Sequence, residues 1–355
     1  MKDEIIPWLE DEESRFIFSN RVAFNESNDF IYMREVIDRY VPELKDTYYP
    51  GKEKELIDKI SDKKNVWIWG AGAHCTKLLR EVFSKINIKA EGIIDRNPVK
   101  PSVLGIPVFS PDQVDFQKID CLIISMAKKD AIRSSVDFAL SSGMNRENII
   151  AYQDYFKNCD LPDKQYFEPF IEYNEGETFI DVGALDLGTS LRFVRECEKN
   201  HISDYKIYAF EPDKESHQKC TEIARKHPEL NITLYNCGLW SSNTTLSFDS
   251  RGDCASKIVM DDNDSNRIDV VSLDSLINDK VTYLKMDIEG AEPEALKGCQ
   301  NIIRQYKPKL AISVYHNKAD IIEIPKYIKS LVPGYRLYLR HYSSHVSETV
   351  LYALP

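Results

Sequence analysis

Short apolar runs recur along the chain, and the stretches between them carry apolar side chains at helical spacing. Val66-Trp-Ile-Trp69, Glu91-Gly-Ile-Ile-Asp95, Cys121-Leu-Ile-Ile-Ser125 and Asn148-Ile-Ile-Ala151 form one set. After a polar connector with Asn158, Asp160, Pro162 and Asp163, the rhythm restarts at Thr178–Asp181, Lys206–Phe210, Ile232–Tyr235, Val281–Met286 and Lys309–Val314. Apolar runs alternating with helices predict βαβ units on parallel sheets. Tyr335–Leu339 and Glu348–Ala353 differ, because the loop between them is too short for a crossover helix. Those two strands must pair antiparallel. The first sixty residues carry helical spacing at Ile31, Val36, Ile37 and Tyr40, and no glycine precedes Gly51. The expected organisation is a helical lead-in over 1–60, a Rossmann-like domain over 61–160 and a second α/β domain over 165–355. The fold class is α/β with two Rossmann-like units, the C-terminal one closed by an antiparallel strand pair.

Composition narrows the function. The chain has 355 residues, 46 Lys+Arg against 57 Asp+Glu, and a formal charge of −11. That balance argues against nucleic acid as a partner. No run approaches the ~20 apolar residues of a membrane span, and the acidic start does not resemble a secretory signal. A cytoplasmic location is expected. Cysteines stand at 75, 121, 159, 197, 220, 237, 254 and 299. None of them forms the close pairs of a zinc site, so free buried thiols are expected.

The chemistry gathers at strand ends. Asp181-Val-Gly183-Ala184 closes one strand, where glycine lets backbone approach a ligand beside a helix N-terminus. Glu211-Pro212-Asp213 ends the next, placing an acid to accept hydrogen bonds from ribose hydroxyls. Lys285-Met-Asp287-Ile-Glu289-Gly290-Ala-Glu292, Tyr315-His316-Asn317 and Arg340-His341-Tyr342 end later strands. Ligands of open α/β sheets bind outside the carboxyl ends of the strands. Asp181, Glu211, Asp287, Glu289, His316 and His341 therefore share one rim. A lone histidine at such a place is usually structural, but two histidines and several acids on separate strands indicate a site.

The stretches Phe179–Ala184, Tyr208–Asp213, Val270–Leu276 and Tyr283–Glu292 resemble the FkbM family of class I S-adenosylmethionine-dependent methyltransferases, over roughly residues 165–355. The resemblance implies that Asp181, Gly183 and Ala184 form the cofactor turn. It also implies that Glu211 with Pro212 meets the ribose, and that Asn236 and Cys237 flank the adenine. One departure stands out: the family's second glycine falls at Leu187, with Gly188 one place later. Residues Trp69–His74, Gly92–Asp95 and Leu104–Phe109 resemble Rossmann-like domains of sugar-modifying transferases. Cys75 replaces the third glycine of the dinucleotide fingerprint. That domain is either a site for a nucleotide or nucleotide-sugar, or a packing module, for instance in a homodimer.

Methyl transfer to a hydroxyl needs in-line alignment and removal of a proton. His316 is the first choice of base and His341 the second. Asp287 either orients the base or acceptor, binds beside the cofactor, or pairs with Glu289 to hold Mg²⁺. The function expected is O-methylation of a sugar hydroxyl, in a surface polysaccharide or its nucleotide-linked precursor. The acceptor is thus a glycan or another small molecule. N-methylation of an amine or amide is one alternative, and a non-catalytic Rossmann-type binding or assembly protein is another. Arg251-Gly-Asp253 reads as a chance tripeptide. Asp249–Asp264 reads as a solvated loop, with closure over the acceptor as the alternative. Tyr342 is the one C-terminal tyrosine near the rim that would suit sugar stacking.

Overall fold

The computed structural model describes residues 2–42, 48–49, 51–86, 88–98, 101–126, 129–155, 164–249, 257–258 and 267–355. The connector around 158–163, Cys159, Cys254, Arg251-Gly-Asp253 and most of 249–264 lie outside them. The chain divides into two compact units, Asp46–Asp160 and Met1–Lys45 with Leu161–Pro355.

In the smaller unit, β1 (Val66–Trp69), β2 (Gly92–Ile94), β3 (Ser102–Val103), β4 (Ile106–Phe109), β5 (Cys121–Ile124) and β6 (Ile149–Ala151) form one sheet in the order β3-β4-β2-β1-β5-β6. It is parallel except at the β3–β4 edge. Apolar clusters cover both faces: Ile68, Leu78 and Ile93 on one, Trp69, Leu122 and Ile124 on the other. That two-sided burial is why the central strands read as unbroken apolar runs. Helix Lys52–Ile60 joins this unit through Leu56 and Ile60. It thus leaves the 1–60 lead-in, whose first part sits elsewhere.

The larger unit contains β7 (Glu177–Val182), β8 (Tyr205–Phe210), β9 (Ile232–Tyr235), β10 (Gly238–Leu239), β11 (Thr244–Asp249), β12 (Lys257–Ile258), β13 (Arg267–Val271), β14 (Tyr283–Met286), β15 (Lys309–Ser313), β16 (Arg336–His341) and β17 (Thr349–Leu354). Seven of them make the main sheet, ordered β16-β17-β15-β14-β7-β8-β9. β17 runs antiparallel between β15 and β16, as the short final loop requires. The four-stranded sheet β10-β13-β11-β12 is not evident in the apolar pattern. Only Leu246, Phe248, Ile268 and Val270 form its small core with Trp240, so its strands look solvated in sequence.

The N-terminal helices Glu12–Ser27 and Ile31–Tyr40 belong to this larger unit. Ile17, Phe18, Val22, Met33 and Val36 are buried with Leu337 and Leu339 of β16. Polar ties fix the first helix: the Ser14 hydroxyl accepts from Leu339 N, and the Arg340 guanidinium pairs with Asp11 at 2.6 Å. Buried Arg21 donates to the carbonyls of Tyr315 and Val346. What reads as a lead-in is a wall of the main domain.

Candidate functional site

Gly183, at the end of β7, adopts φ 79°, and an added Cβ would overlap the Asp287 carbonyl and stand 3.2 Å from Ile288. A side chain is therefore barred on both conformational and steric grounds. Asp181 underpins this turn from within. It is fully buried, accepts from Ser190 Oγ at 2.7 Å and pairs with Lys285 Nζ at 3.0 Å. The same ammonium donates to the carbonyls of Val182 and Gly183. The distances make Asp181 a brace for the turn, working through Lys285. The sequence does not mark Lys285 for this role, because its ties depend on β7 and β14 lying side by side.

Glu211 leaves β8 and grips the following loop. Its Oε2 accepts from Leu185 N at 2.8 Å and its Oε1 from Asp213 N at 2.9 Å. Burial pushes its carboxyl pKa upward, against those two amides. Ala184 is buried in the turn. Asn236 donates to the carbonyls of Glu211 and, at 3.3 Å, Pro212, while Cys237 is buried with its thiol pushed up to about 11 by desolvation. The turn, Glu211, Pro212 and Asn236 are thus held in one network. Leu187 occupies φ 59° with its side chain fully buried against Ala184, Ala209 and Cys220. The left-handed bend normally given to glycine is here taken by leucine, and apolar burial offsets the strain.

Beyond Gly183, β14 and β15 converge. Asp287 Oδ2 accepts from Tyr166 at 2.7 Å and Oδ1 from Tyr315 at 3.2 Å. Burial raises its pKa, but Lys285 and His316 outweigh that and hold the carboxyl below its ordinary value. The Tyr315 hydroxyl also stands 3.3 Å from Glu348, whose pKa burial and Asp287 push up to about 7. His316, following β15, has only 7% of its side chain exposed. Nε2 lies 3.5 Å from both Asp287 Oδ1 and Glu289 Oε1, and Nδ1 lies 2.9 Å from Glu292 Oε1. Those are ion-pair distances without hydrogen-bond alignment, so neither ring nitrogen has a hydrogen-bond partner.

The two histidines differ in their surroundings. Burial alone would keep His316 neutral, but Glu289, Glu292 and Asp287 override it and push the pKa up to about 11. His341 lies inside β16, 2% exposed, with Nδ1 3.0 Å from Thr349 Oγ1. Burial, then Arg21, drive its pKa down to about 3, and it makes no contact with the Asp287 cluster. Tyr342 is likewise interior, donating to Glu168 beside Tyr352, and offers no stacking surface.

In the smaller unit, Gly70 at φ 106° follows β1, and Asp95 after β2 accepts from Ala71 N at 2.9 Å. The acid-to-turn bond of Glu211 is repeated. Cys75, at the fingerprint's third glycine position, is fully buried. The six cysteines among the described residues, Cys75, Cys121, Cys197, Cys220, Cys237 and Cys299, are free and buried, as expected.

A seven-stranded sheet with one antiparallel strand, a glycine turn after β7 and an acid after β8 define a class I S-adenosylmethionine-dependent methyltransferase domain. Residues 181–342 match the family model described as the Methyltransferase FkbM domain. Residues 62–150 match a second family, described as C2185-like, N-terminal. Among solved structures, the methyltransferase FkbM of Methylobacillus flagellatus KT is 22% identical, with 94% of this chain and 100% of that one covered and a TM-score of 0.49. A Streptococcus mutans methyltransferase in complex with SAH is 12% identical over 51% of this chain and 89% of that one, with a TM-score of 0.32. Aeropyrum pernix fibrillarin with bound S-adenosyl-L-methionine is 15% identical over 51% and 67%, with a TM-score of 0.31. No curated protein matches the chain. Among the described residues, no helix is long and apolar enough to cross a membrane.

Proposed function

We propose that the chain transfers the methyl group of S-adenosylmethionine to a hydroxyl oxygen of a sugar, in a surface polysaccharide or its nucleotide-linked precursor. The observation that carries this is the contact between the Gly183 turn and the Asp287 segment. It brings the glycine turn directly against a cluster of buried polar groups, which supports a cofactor site beside an acceptor site. S-adenosylmethionine would lie on the turn at Gly183 and Ala184, its ribose toward Glu211 and Pro212, its adenine toward Asn236 and Cys237. When bound, the cofactor supplies an electrophilic methyl on a sulfonium. Asp287, fixed by Tyr166 and Tyr315, would receive the acceptor's hydroxyl and hold its oxygen in line. Lys285 keeps Asp181 and the turn from shifting.

The polyhydroxylated acceptor is favoured by the many fixed acceptor oxygens at Asp287, Glu289 and Glu348, and by the sugar-transferase resemblance of the smaller unit. The Asp95–Ala71 bond there supports binding of a nucleotide beside Gly70 and Gly72 within that unit. Calorimetry with S-adenosylmethionine, followed by a screen of nucleotide-sugars with the methylated position read by NMR, tests this. Absence of cofactor binding at millimolar concentration sinks it, and a methylated nitrogen moves it to amine or amide acceptors.

A further inference from the structure

His316 has two buried ring nitrogens and no aligned hydrogen bond, in a pocket of oxygen atoms. Buried polar groups are seldom left so. The arrangement around the ring is asymmetric. Nε2 faces Asp287 Oδ1 and Glu289 Oε1, each at 3.5 Å, while Nδ1 faces Glu292 Oε1 at 2.9 Å. Two donors on an ion at about 2.1 Å stand roughly 3.0–3.5 Å apart, depending on the angle between them. Each carboxylate's distance from Nε2 is therefore one that a shared ion allows, and Asp287, Glu292 and His316 offer ligand atoms that all lie within 4.8 Å of one another. On the other side, a carboxylate against the second ring nitrogen is the usual means of orienting a metal-bound histidine.

Local backbone supports the same end. Glu289 adopts φ 55° and Gly290 φ 97°, a tight reversal that turns the chain back just after β14. Glu292 holds that reversal, accepting from Ile288 N at 2.8 Å and Gly290 N at 3.0 Å. A non-glycine residue in this conformation is strained, and such strain concentrates at ligand sites.

We propose that His316 Nε2, Asp287 Oδ1 and Glu289 Oε1 form a three-donor site for a divalent ion of the borderline class, Mn²⁺ or Zn²⁺, with Glu292 orienting the imidazole. A nitrogen donor distinguishes this set from the all-oxygen surroundings that Mg²⁺ prefers. The ion's use rests on the methyl-transfer function. A hydroxyl bound to it would release its proton to solvent, its oxygen would take the methyl group, and neutral S-adenosylhomocysteine would leave.

The test is uptake of Mn²⁺ alone by the chelator-treated full chain, followed by electron paramagnetic resonance and calorimetry. One Mn²⁺ per chain is expected, with affinity weakened at least about 100-fold in His316→Ala and about 10- to 100-fold in Glu292→Gln. Glu289→Gln, at a partly exposed position, should weaken uptake comparably. No uptake, or uptake unchanged in Glu289→Gln and His316→Ala, overturns the site. S-adenosylmethionine binding is measured on the same samples. Its failure would count against methyl transfer and leave the ion site standing, while its retention with no Mn²⁺ uptake would do the reverse.

Discussion

Gly183 and Asp287 stand so close that a Cβ on the first would overlap the main-chain oxygen of the second. The turn after β7 and the acidic segment after β14 are therefore one piece of structure. Gly183→Ala must move one or the other, and should cost about 2–4 kcal/mol. Chemical denaturation will show the loss of stability. Calorimetry should show S-adenosylmethionine binding reduced beyond detection, and normal binding in a folded variant would remove the turn from the cofactor site.

Asp181 and Glu211 both end strands, yet their replacement should read differently. Asp181→Ala leaves the Lys285 ammonium buried without its carboxylate, a loss of about 3–5 kcal/mol that appears in denaturation before it appears in binding. Glu211→Gln keeps one acceptor oxygen for the loop amides and should remain folded, while S-adenosylmethionine affinity falls roughly tenfold. An unchanged Kd in Glu211→Gln would count against the ribose assignment.

His341 makes acid stability a local question. Folded, its pKa is pushed down to about 3, against 6.5 for the ordinary group. Unfolding therefore takes up a proton between those values, so stability is complete above pH 6.5 and declines as pH falls toward 3. The slope from this one residue is up to about 1.4 kcal/mol per pH unit. Replacing His341 with Gln should flatten that acid limb in urea titrations across the window. An identical slope in the variant would show that other groups dominate.

Leu187 takes a left-handed bend with a buried side chain. Leu187→Gly relieves the bend but empties the pocket beside Ala184 and Cys220, and burial is the larger effect. A net loss of about 1–3 kcal/mol is expected by thermal or urea denaturation. A stabilised variant would mean that strain outweighs packing there.

The strand runs Val66–Trp69 and Cys121–Ile124 were legible because they are covered on both faces, so every position is apolar. Gly183 and Glu211 were legible too, since a glycine turn and a strand-end acid are local features. The sheet from β10 to β13 was not, because a half-solvated strand with two apolar positions resembles a loop. The first forty residues showed helices but not their partner, because a helix pattern reveals a buried face without naming what covers it.

The amino-acid sequence by itself determined two α/β units, the antiparallel closing strands and the rim on which the polar residues gather, all consequences of local periodicity and loop length. Only tertiary structure decided what those residues are. His341 turns inward and stays neutral, and Asp181 is spent on Lys285. His316 falls among three carboxylates from a segment about two dozen residues earlier in the chain. A side chain's charge depends on its spatial neighbours and on the water excluded around it, and neither is written in the order of residues.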